Sequence, residues 1–403
     1  MAVSNRAGTV MPSERDVAGF TAGAVAAGVR DGTPTRLDVA LIVSERPCAA
    51  AGVFTTNQVI APPCLVTRRH VEGGPIRAIV VNSGNANACT GDRGERDAIA
   101  MAQAAASKVG CDPHEVAVAS TGVIGVPLPI DRIAHAVRSI ELRAGAWNDV
   151  ARAIMTTDTR PKIVSVELPL RAGVVHLRGI AKGAGMIHPN MATMLAFVVT
   201  DAKVDGTALR SIARAAADTS FNAISVDGDT STNDTMLLLA NGASEISVSG
   251  KDLETFQAGV EFVCGSLARA IVGDGEGVTK VFEVQVRGAA SEDDARRAAR
   301  TITTSNLVKT AIHGADPNWG RILAAAGRSG ARVDERKANM RIADVVLFEA
   351  GAPRAFDAAT VRRVLEQRDI VIELDLGLGK GNARAWGTDL SAEYVRINAE
   401  YTT

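Results

Sequence analysis

The chain has 403 residues, with 44 Lys and Arg against 45 Asp and Glu, and its formal net charge is −1 at pH 7. Nucleic acids and anionic membranes are bound through basic surfaces, so this balance predicts neither of them as a partner. Hydrophobic residues make up 46% of the chain and charged residues 22%, which is typical of a globular protein and argues against disorder.

The cysteine pattern favours a reducing compartment. Five cysteines are present, an odd number, and no two of them occur as CxxC. Disulfide frameworks and zinc sites use paired or clustered cysteines, so neither is predicted. The N-terminal segment lacks the basic start and apolar core of a signal peptide, and no apolar run reaches the length of a membrane span. We therefore expect a cytoplasmic protein, and the scattered histidines predict neither a metal nor another cofactor.

Short β-branched runs alternate with amphipathic helical patterns along the chain. Helices are predicted at 96–109, 209–217, 253–272 and 319–326. Gly110 is the predicted C-cap of the first helix, and Asp205 and Asp316 are the predicted N-caps of the second and the fourth. Strands are predicted at 37–43, 76–81, 116–119, 193–199, 281–286, 340–348, 370–376 and 382–386, with a hairpin turn at 377–381. This mixture predicts an α/β or α+β protein. A new strand–helix series begins after the turn at 273–277, so we expect two domains, 1–280 and 281–403.

The segment 182–195 combines a Gly-rich turn, a Pro-Asn turn and an apolar strand that starts at Thr193. One interpretation is an ordinary loop that enters a strand. The other is a self-cleaving site, because a hydroxyl at the first position of a strand is where N-terminal nucleophiles occur. Cleavage before Thr193 would give its hydroxyl an adjacent α-amine with a pKa of about 7.7–8.0, which suits a base at neutral pH.

Such a nucleophile also needs an oxyanion hole and polar groups for a substrate. Thr121 and Gly122 follow the predicted strand 116–119 and would offer a hydroxyl and a backbone N–H, although a plain strand-to-loop turn explains them equally well. The hydroxyl cluster 155–159 is either part of a site or a turn. The polar run 227–234 lacks the ligand spacing and terminal glutamate of a calcium loop.

Seven motifs occur in one order along the chain: ASTGVIG, AIMTTDT, KGAGMIHPNMATML, DGDTSTNDT, DGEGVTK, LVKTAIHGADPNWGRI and YVRINAEYTT. Together they resemble the ornithine acetyltransferase family, the self-processing glutamate N-acetyltransferases of arginine biosynthesis. The resemblance runs from about Gly19 to Thr403. It implies a layered α/β sandwich of the self-processing N-terminal-nucleophile type, as in DmpA and ornithine acetyltransferases, with a smaller C-terminal α/β domain.

The resemblance also implies a site. Cleavage is expected between Ala192 and Thr193, with Thr193 as the nucleophile, its new α-amine as the general base, and Thr121 and Gly122 as the oxyanion hole. Substrate contacts are implied at Thr156, Lys182, Thr193, Glu276, Asn398 and Thr403, with Thr157 as an alternative to Thr156. The enzyme would move an acetyl group from N-acetylornithine to glutamate through acetyl-Thr193. The two chains would stay together as an α2β2 heterotetramer or a larger assembly.

Several alternatives stay open at this point. Acetyl-CoA could be a second acetyl donor, and a related variant could serve secondary metabolism. An amidohydrolase or aminopeptidase on a related self-cleaving fold would share the nucleophile and differ in admitting water to the acyl-enzyme. An uncleaved binding or regulatory module would keep the fold without catalysis, although the intact Thr193, Thr121, Gly122 and Lys182 argue against it.

Overall fold

Two β-sheets organise the part of the chain that the computed structural model describes, residues 3–5, 8–188 and 194–400. The strands in these ranges are β1 Val3–Asn5, β2 Gly8–Pro12, β3 Phe20–Val25, β4 Val39–Phe54, β5 Ile76–Asn85, β6 Val116–Val123, β7 Lys162–Leu170, β8 Gly173–Lys182, β9 Leu195–Thr200, β10 Ile224–Ser225, β11 Thr235–Ala240, β12 Val281–Ala289, β13 Asn339–Ile342, β14 Val345–Glu349, β15 Ala352–Pro353, β16 Asp369–Asp375 and β17 Gly381–Thr388.

Helices alternate with these strands. The helices in the described ranges are α1 Pro62–Gly73, α2 Gly91–Val109, α3 Ile130–Ser139, α4 Trp147–Ala153, α5 Gly206–Thr219, α6 Asp252–Val272, α7 Glu292–Thr303, α8 Asn306–His313, α9 Trp319–Gly327, α10 Ala358–Leu365 and α11 Ala392–Glu400.

The first sheet folds over on itself through the long strand β4. The N-terminal part of β4 pairs with β3 and β5, and its C-terminal part pairs with β11. The full order is β1-β2-β7-β8-β9-β11-β4-β5-β6, with β3 on β4. The two halves of the sheet therefore share strand β4 and pack face to face.

Alternating side chains on these strands build three apolar layers. Ile42, Phe197 and Leu237 belong to the core between the two halves of the sheet. Their neighbours point outwards, because successive residues of a strand face opposite sides: Leu41 packs with α2 and α3, and Leu238 packs with α5 and α6. The result is a helix–sheet–sheet–helix sandwich. The predicted layered α/β class is therefore confirmed.

The second sheet has the order β10-β17-β12-β16-β13-β14-β15. One face of it packs against α7, α8, α9 and α10 around a separate core that includes Phe282, Ile302 and Leu374. β10 joins this sheet from the middle of the chain, with Ile224 opposite Trp386. That pairing ties the polar segment after β10 to the C-terminal part of the protein.

Most predicted elements exist, but several are longer than predicted. The predicted strand 37–43 is the first half of β4, and the predicted helix 96–109 begins at Gly91. Gly110 ends α2 in the left-handed conformation, with φ 76° and its N–H on Ala106 O, as predicted. Asp205 caps α5 by accepting hydrogen bonds from Thr207 N and Ala208 N, also as predicted.

Three local predictions are wrong. The predicted strand 340–348 is a hairpin of β13 and β14, which turns at Ala343 with φ 48°. The segment 377–381 is not a hairpin turn, because β16 and β17 lie on opposite sides of β12 and do not pair with each other. Asn318, not Asp316, is the N-cap of α9 and accepts from Arg321 N. Only the error at 377–381 depends on a chain path that local spacing does not contain.

Candidate active site

The predicted oxyanion residues lie at the C-terminal end of β6. Thr121 and Gly122 pair in parallel with Ser83 and Gly84 of β5. Thr121 is buried, with 4% of its surface exposed, and its hydroxyl contacts the ammonium of Lys182. Gly122 has φ 134°, and a Cβ built on it would lie 2.3 Å from the Gly84 carbonyl carbon. The neighbouring strand therefore requires a glycine at this position.

Replacement of Gly122 by Ala is expected to destabilise the protein. The left-handed backbone alone costs about 1–3 kcal/mol for a non-Gly residue, and the clash with Gly84 adds to that cost. Urea unfolding measures the loss. Gly125→Ala is the matched control, since Gly125 also has positive φ (83°) but open space around its Cβ position. Equal stability of the two variants would contradict the steric argument.

Lys182 is the last residue of β8 and is buried, with 2% of its surface exposed. Its Nζ donates to Thr121 Oγ1 over 3.2 Å. Burial lowers the pKa of the Lys182 ammonium, while the charges of Asp158, Glu276 and Asp234 act in the opposite direction. The pKa of Lys182 therefore lies below its ordinary value, and the neighbouring carboxylates limit the lowering.

A buried ion triad of Asp158, Lys162 and Asp274 stands behind Lys182. Lys162 Nζ lies 2.6 Å from a carboxylate oxygen on each side, Oδ1 of Asp158 and Oδ2 of Asp274. Burial acts to raise the pKa of Asp158, but the charges of Lys182 and Lys162 and the hydrogen bond from Gly183 N hold that pKa below its ordinary value. Asp158 is therefore held in its ionised form, and it is paired with Lys162 within the interior.

The triad fixes the backbone of three predicted site segments. Asp158 accepts from Thr156 N and from Gly183 N, which follows Lys182. Asp274 accepts from the backbone and hydroxyl of Thr159, and it stands two residues before Glu276. Through these two carboxylates, Lys162 holds together segments that are distant in the sequence.

Glu276 reaches the site from the loop after α6. Its carboxylate touches Gly185, where a Cβ would lie 2.5 Å from its atoms, and its Oε2 accepts from Asn398 Nδ2 over 2.9 Å. Asn398 belongs to α11, whose Tyr394 backbone packs against Gly277. The C-terminal helix therefore lies beside Glu276 at the edge of the site.

Asp234 anchors the chain directly after the predicted nucleophile. Its Oδ1 accepts from Met194 N over 3.0 Å, and its Oδ2 has no hydrogen-bond partner among the described residues. Burial raises the pKa of Asp234 well above its ordinary value, so the neutral acid is favoured. The preceding Asn233 donates to Ala86 O and Ser120 O and so ties the same segment to the end of β6.

Asp227 organises the other wall. It accepts from Met186 N and Ile187 N over 2.6 and 2.8 Å, and burial raises its pKa to about 6. Buried Lys309, from the predicted LVKTAIHGADPNW motif, donates to Val226 O and Thr388 O and holds this turn against β17. The second sheet therefore supports one wall of the site.

Thr121, Lys182, Asp227 and Glu276 line one cavity of about 330 Å³. Of the predicted site residues, those lining it are Thr121, Gly122, Thr156, Lys182, Glu276 and Asn398. Thr157 lines it as well, so the geometry does not choose between the two threonines. Ala192, Thr193 and Thr403 lie outside the described residues. A larger cleft of about 780 Å³, between α6 and the second sheet, is lined by none of the predicted site residues.

Sequence reasoning missed the supporting residues Asp158, Lys162, Asp227, Asp234 and Asp274. Four of them stand inside motifs that had been recognised, but an aspartate in a Gly- or Thr-rich run is more often a turn residue. The signal for Lys162 is a lysine that directly precedes an apolar strand segment. Among the described residues, there is no cluster of three or more His, Cys, Asp or Glu that could hold a metal ion. Nor does any helix in those ranges have the length and apolar character needed to cross a membrane.

Comparisons with known proteins point in one direction. A family model described as the ArgJ family matches residues 21–403. The arginine biosynthesis bifunctional protein ArgJ of Symbiobacterium thermophilum is 50% identical over 391 residues, which are 96% of this chain and 97% of that protein. ArgJ of Geobacter sulfurreducens is 50% identical over 395 residues, 96% of this chain and 100% of that protein.

A solved structure agrees with these relatives. The crystal structure of ArgJ from Bacillus halodurans is 41% identical, with a TM-score of 0.50, and the match covers 51% of this chain and 98% of that chain. The family model and the relatives both span nearly all of the present sequence. This chain therefore belongs to the ArgJ family.

Proposed function

We propose that this protein transfers an acetyl group from N-acetylornithine to glutamate in arginine biosynthesis, after cutting itself between Ala192 and Thr193. The observation that carries the proposal is the convergence of Thr121, Gly122 and Lys182 with Glu276 on one cavity, beside the anchored amide of Met194. The names of the relatives support the pathway. The alternative of a binding module without catalysis does not account for this set of polar groups.

The first half-reaction forms an acetyl-enzyme. Thr193 Oγ attacks the acetyl carbonyl carbon of N-acetylornithine while the α-amine of Thr193 takes the hydroxyl proton. The Thr121 hydroxyl and the Gly122 N–H stabilise the negative oxygen of the tetrahedral intermediate. The C–N bond then breaks, the departing amine of ornithine takes the proton from the α-ammonium, and an acetyl ester remains on Thr193.

The second half-reaction reverses these steps with a different amine. The amine of glutamate attacks the ester carbonyl and gives up a proton to the α-amine. The C–O bond breaks, Thr193 Oγ regains its proton, and N-acetylglutamate leaves. Each amine leaves or enters in turn, so ping-pong kinetics are expected.

Self-cleavage is supported by the length of a solved relative. The chain from Bacillus halodurans is matched over 98% of its own length but spans only 51% of this chain, which is the size expected for one product. Cleavage before Thr193 would give chains of 192 and 211 residues. β8 would then belong to the first chain and its partner β9 to the second, so their pairing would hold the products together.

Glu276→Gln is expected to raise the KM for N-acetylornithine about tenfold, because an ion pair with the substrate ammonium is replaced by a neutral hydrogen bond. Gln keeps an oxygen that can accept from Asn398. Initial-rate kinetics with varied N-acetylornithine measure the change. The exposed Glu254→Gln is the control, and an unchanged KM in Glu276→Gln would contradict the proposed pairing.

Asp234→Ala is expected to slow self-cleavage, because the amide after Thr193 loses its acceptor. Asp234→Asn keeps an oxygen for Met194 N and resembles the neutral acid that burial favours, so it should cleave at nearly the wild-type rate. The fraction of cut chain in time samples measures both. An Asn variant as slow as the Ala variant would assign Asp234 a role other than anchoring.

The activity itself is tested with purified protein, N-acetylornithine and glutamate. Formation of N-acetylglutamate supports transfer, whereas release of acetate without transfer would identify an amidohydrolase. Replacement of N-acetylornithine by acetyl-CoA in the same assay shows whether a second donor is used.

The organisation of the whole protein is part of the proposal. We propose catalytic and C-terminal domains at 1–280 and 281–403, and assembly of the cut chains as α2β2 or larger. A cytoplasmic location is supported by the five cysteines, all of which are free thiols in the structure. Size-exclusion chromatography with light scattering measures the assembly.

A further inference from the structure

Lys182 is placed to act on the oxyanion hole and not only on a substrate. Its Nζ contacts Thr121 Oγ1 over 3.2 Å, which is its one hydrogen bond among the described residues. Both side chains are buried, with 2% and 4% of their surfaces exposed, so water competes little with this contact. The pair joins the ends of β8 and β6, which come from different halves of the sandwich.

The direction of this hydrogen bond follows from the chemistry of the two groups. An ammonium has three donors and no acceptor, so Thr121 Oγ must accept. The hydroxyl proton of Thr121 is then free for another acceptor, and it has none among the described residues. Thr121 lines the cavity together with Gly122, so its hydroxyl can donate a hydrogen bond to an oxyanion in that cavity. A hydroxyl that accepts from a cation becomes a stronger donor, because hydrogen bonds in a chain polarise one another.

Carboxylates beside Lys182 oppose the lowering of its pKa by burial, and so support the ammonium that this chain of hydrogen bonds requires. Asp158 carries a negative charge close to it and is itself held by Gly183 N and Lys162. Glu276 also favours the charged form of Lys182, against burial and the charge of Lys162, which lower its pKa. A fixed carboxylate near a buried ammonium keeps the charge in place without occupying the contact to Thr121.

We propose that Lys182 is a positioning residue for the oxyanion hole: its ammonium donates to Thr121 Oγ and so directs and strengthens the hydroxyl that stabilises the tetrahedral intermediate. This inference rests on the proposed acetyl transfer and adds a role for Lys182 beyond substrate contact. Two of its three N–H groups stay available to a substrate carboxylate. The two roles differ in what they predict for kcat and KM.

The test is a double-mutant cycle with Lys182→Met and Thr121→Val, which remove the charge and the hydroxyl while keeping the approximate shape. Thr121→Val is expected to lower kcat by about 10²–10³. Lys182→Met in the wild-type background should lower kcat at least tenfold, with KM for N-acetylornithine nearly unchanged. In the Thr121→Val background, the same change should lower kcat by less than about threefold, because its target is gone.

Two conservative variants and one control complete the cycle. Lys182→Arg and Thr121→Ser keep the donor and the hydroxyl, and both should restore much of kcat. Exposed Lys251→Met should behave as wild type. Rates are divided by the cut fraction of each sample, and circular dichroism checks folding. If both single variants fold but stay uncut while the conservative variants are cut, the coupling is supported.

Three results would overturn the inference. Equal losses of kcat from Lys182→Met in the two backgrounds would show that it acts independently of Thr121. A loss confined to KM would make Lys182 a substrate contact only. A folded Lys182→Met chain that stays uncut while Thr121→Val is cut would give Lys182 a separate role in processing. Failure of wild type and Lys251→Met to transfer acetyl would refute the proposed function instead.

Discussion

Thr193→Ala is expected to yield a single uncut chain of 403 residues with no acetyl transfer. The hydroxyl is the proposed nucleophile, and its loss also prevents release of the α-amine that serves as the base. The substitution therefore removes both the nucleophile and the general base. A denaturing gel and the N-acetylglutamate assay measure the two losses. Removal of a covalent nucleophile has the largest effect on rate of any change considered for this protein.

Two controls sharpen this result. Thr193→Ser keeps a hydroxyl and should restore part of both cleavage and transfer. Thr207→Ala removes an exposed hydroxyl at the start of α5 and should leave both unchanged. Cleavage at the same position in Thr193→Ala would show that the hydroxyl is not the attacking group.

Lys162→Met is expected to lower the free energy of unfolding by about 3–5 kcal/mol, since it leaves two buried carboxylates without their shared cation. Lys162 has 1% of its side chain exposed and lies 2.6 Å from both Asp158 and Asp274. The same change should reduce activity in whatever fraction folds, because Asp158 holds the backbone of Thr156 and Asp274 holds that of Thr159. Urea unfolding and initial rates measure the two effects.

The control for this variant is Lys380→Met, which removes an exposed lysine and should change neither quantity. A second experiment measures the free energy of unfolding of wild type and Lys162→Met as the pH is lowered. Asp158 has a folded pKa below its ordinary value, so it contributes stability above the unfolded pKa of about 3.9, and that contribution is lost as pH falls through the lower folded value. Lys162→Met should lose less stability than wild type in that range. Equal losses would mean that Lys162 does not hold Asp158 ionised.

Local patterns were sufficient for elements whose signals are contained in a few neighbouring residues. The C-cap at Gly110 and the N-cap at Asp205 depend on one glycine and one carboxylate, and both are present as predicted. The pairing of β10 with β17 joins residues 224 and 386, so no local pattern contains it. The hairpin predicted at 377–381 is wrong for the same reason, since β12 lies between β16 and β17.

In the candidate site, too, some residues could be predicted from the sequence and others could not. Residues within recognised motifs, such as Thr121, Lys182 and Glu276, could be named from the sequence and are brought to one cavity. The groups that hold them could not. Asp158 and Asp274 are 116 residues apart in number and meet only through Lys162, and such a contact becomes visible only after folding.

The central claim is that Thr193 becomes an N-terminal residue and carries the acetyl group. Intact-mass analysis of the purified protein, before and after N-acetylornithine and then glutamate, tests it most directly. We predict chains of 192 and 211 residues, one acetyl group gained by the 211-residue chain on its first residue, and its loss when glutamate is added. An uncut 403-residue chain, or cut chains that never carry an acetyl group, would contradict the account.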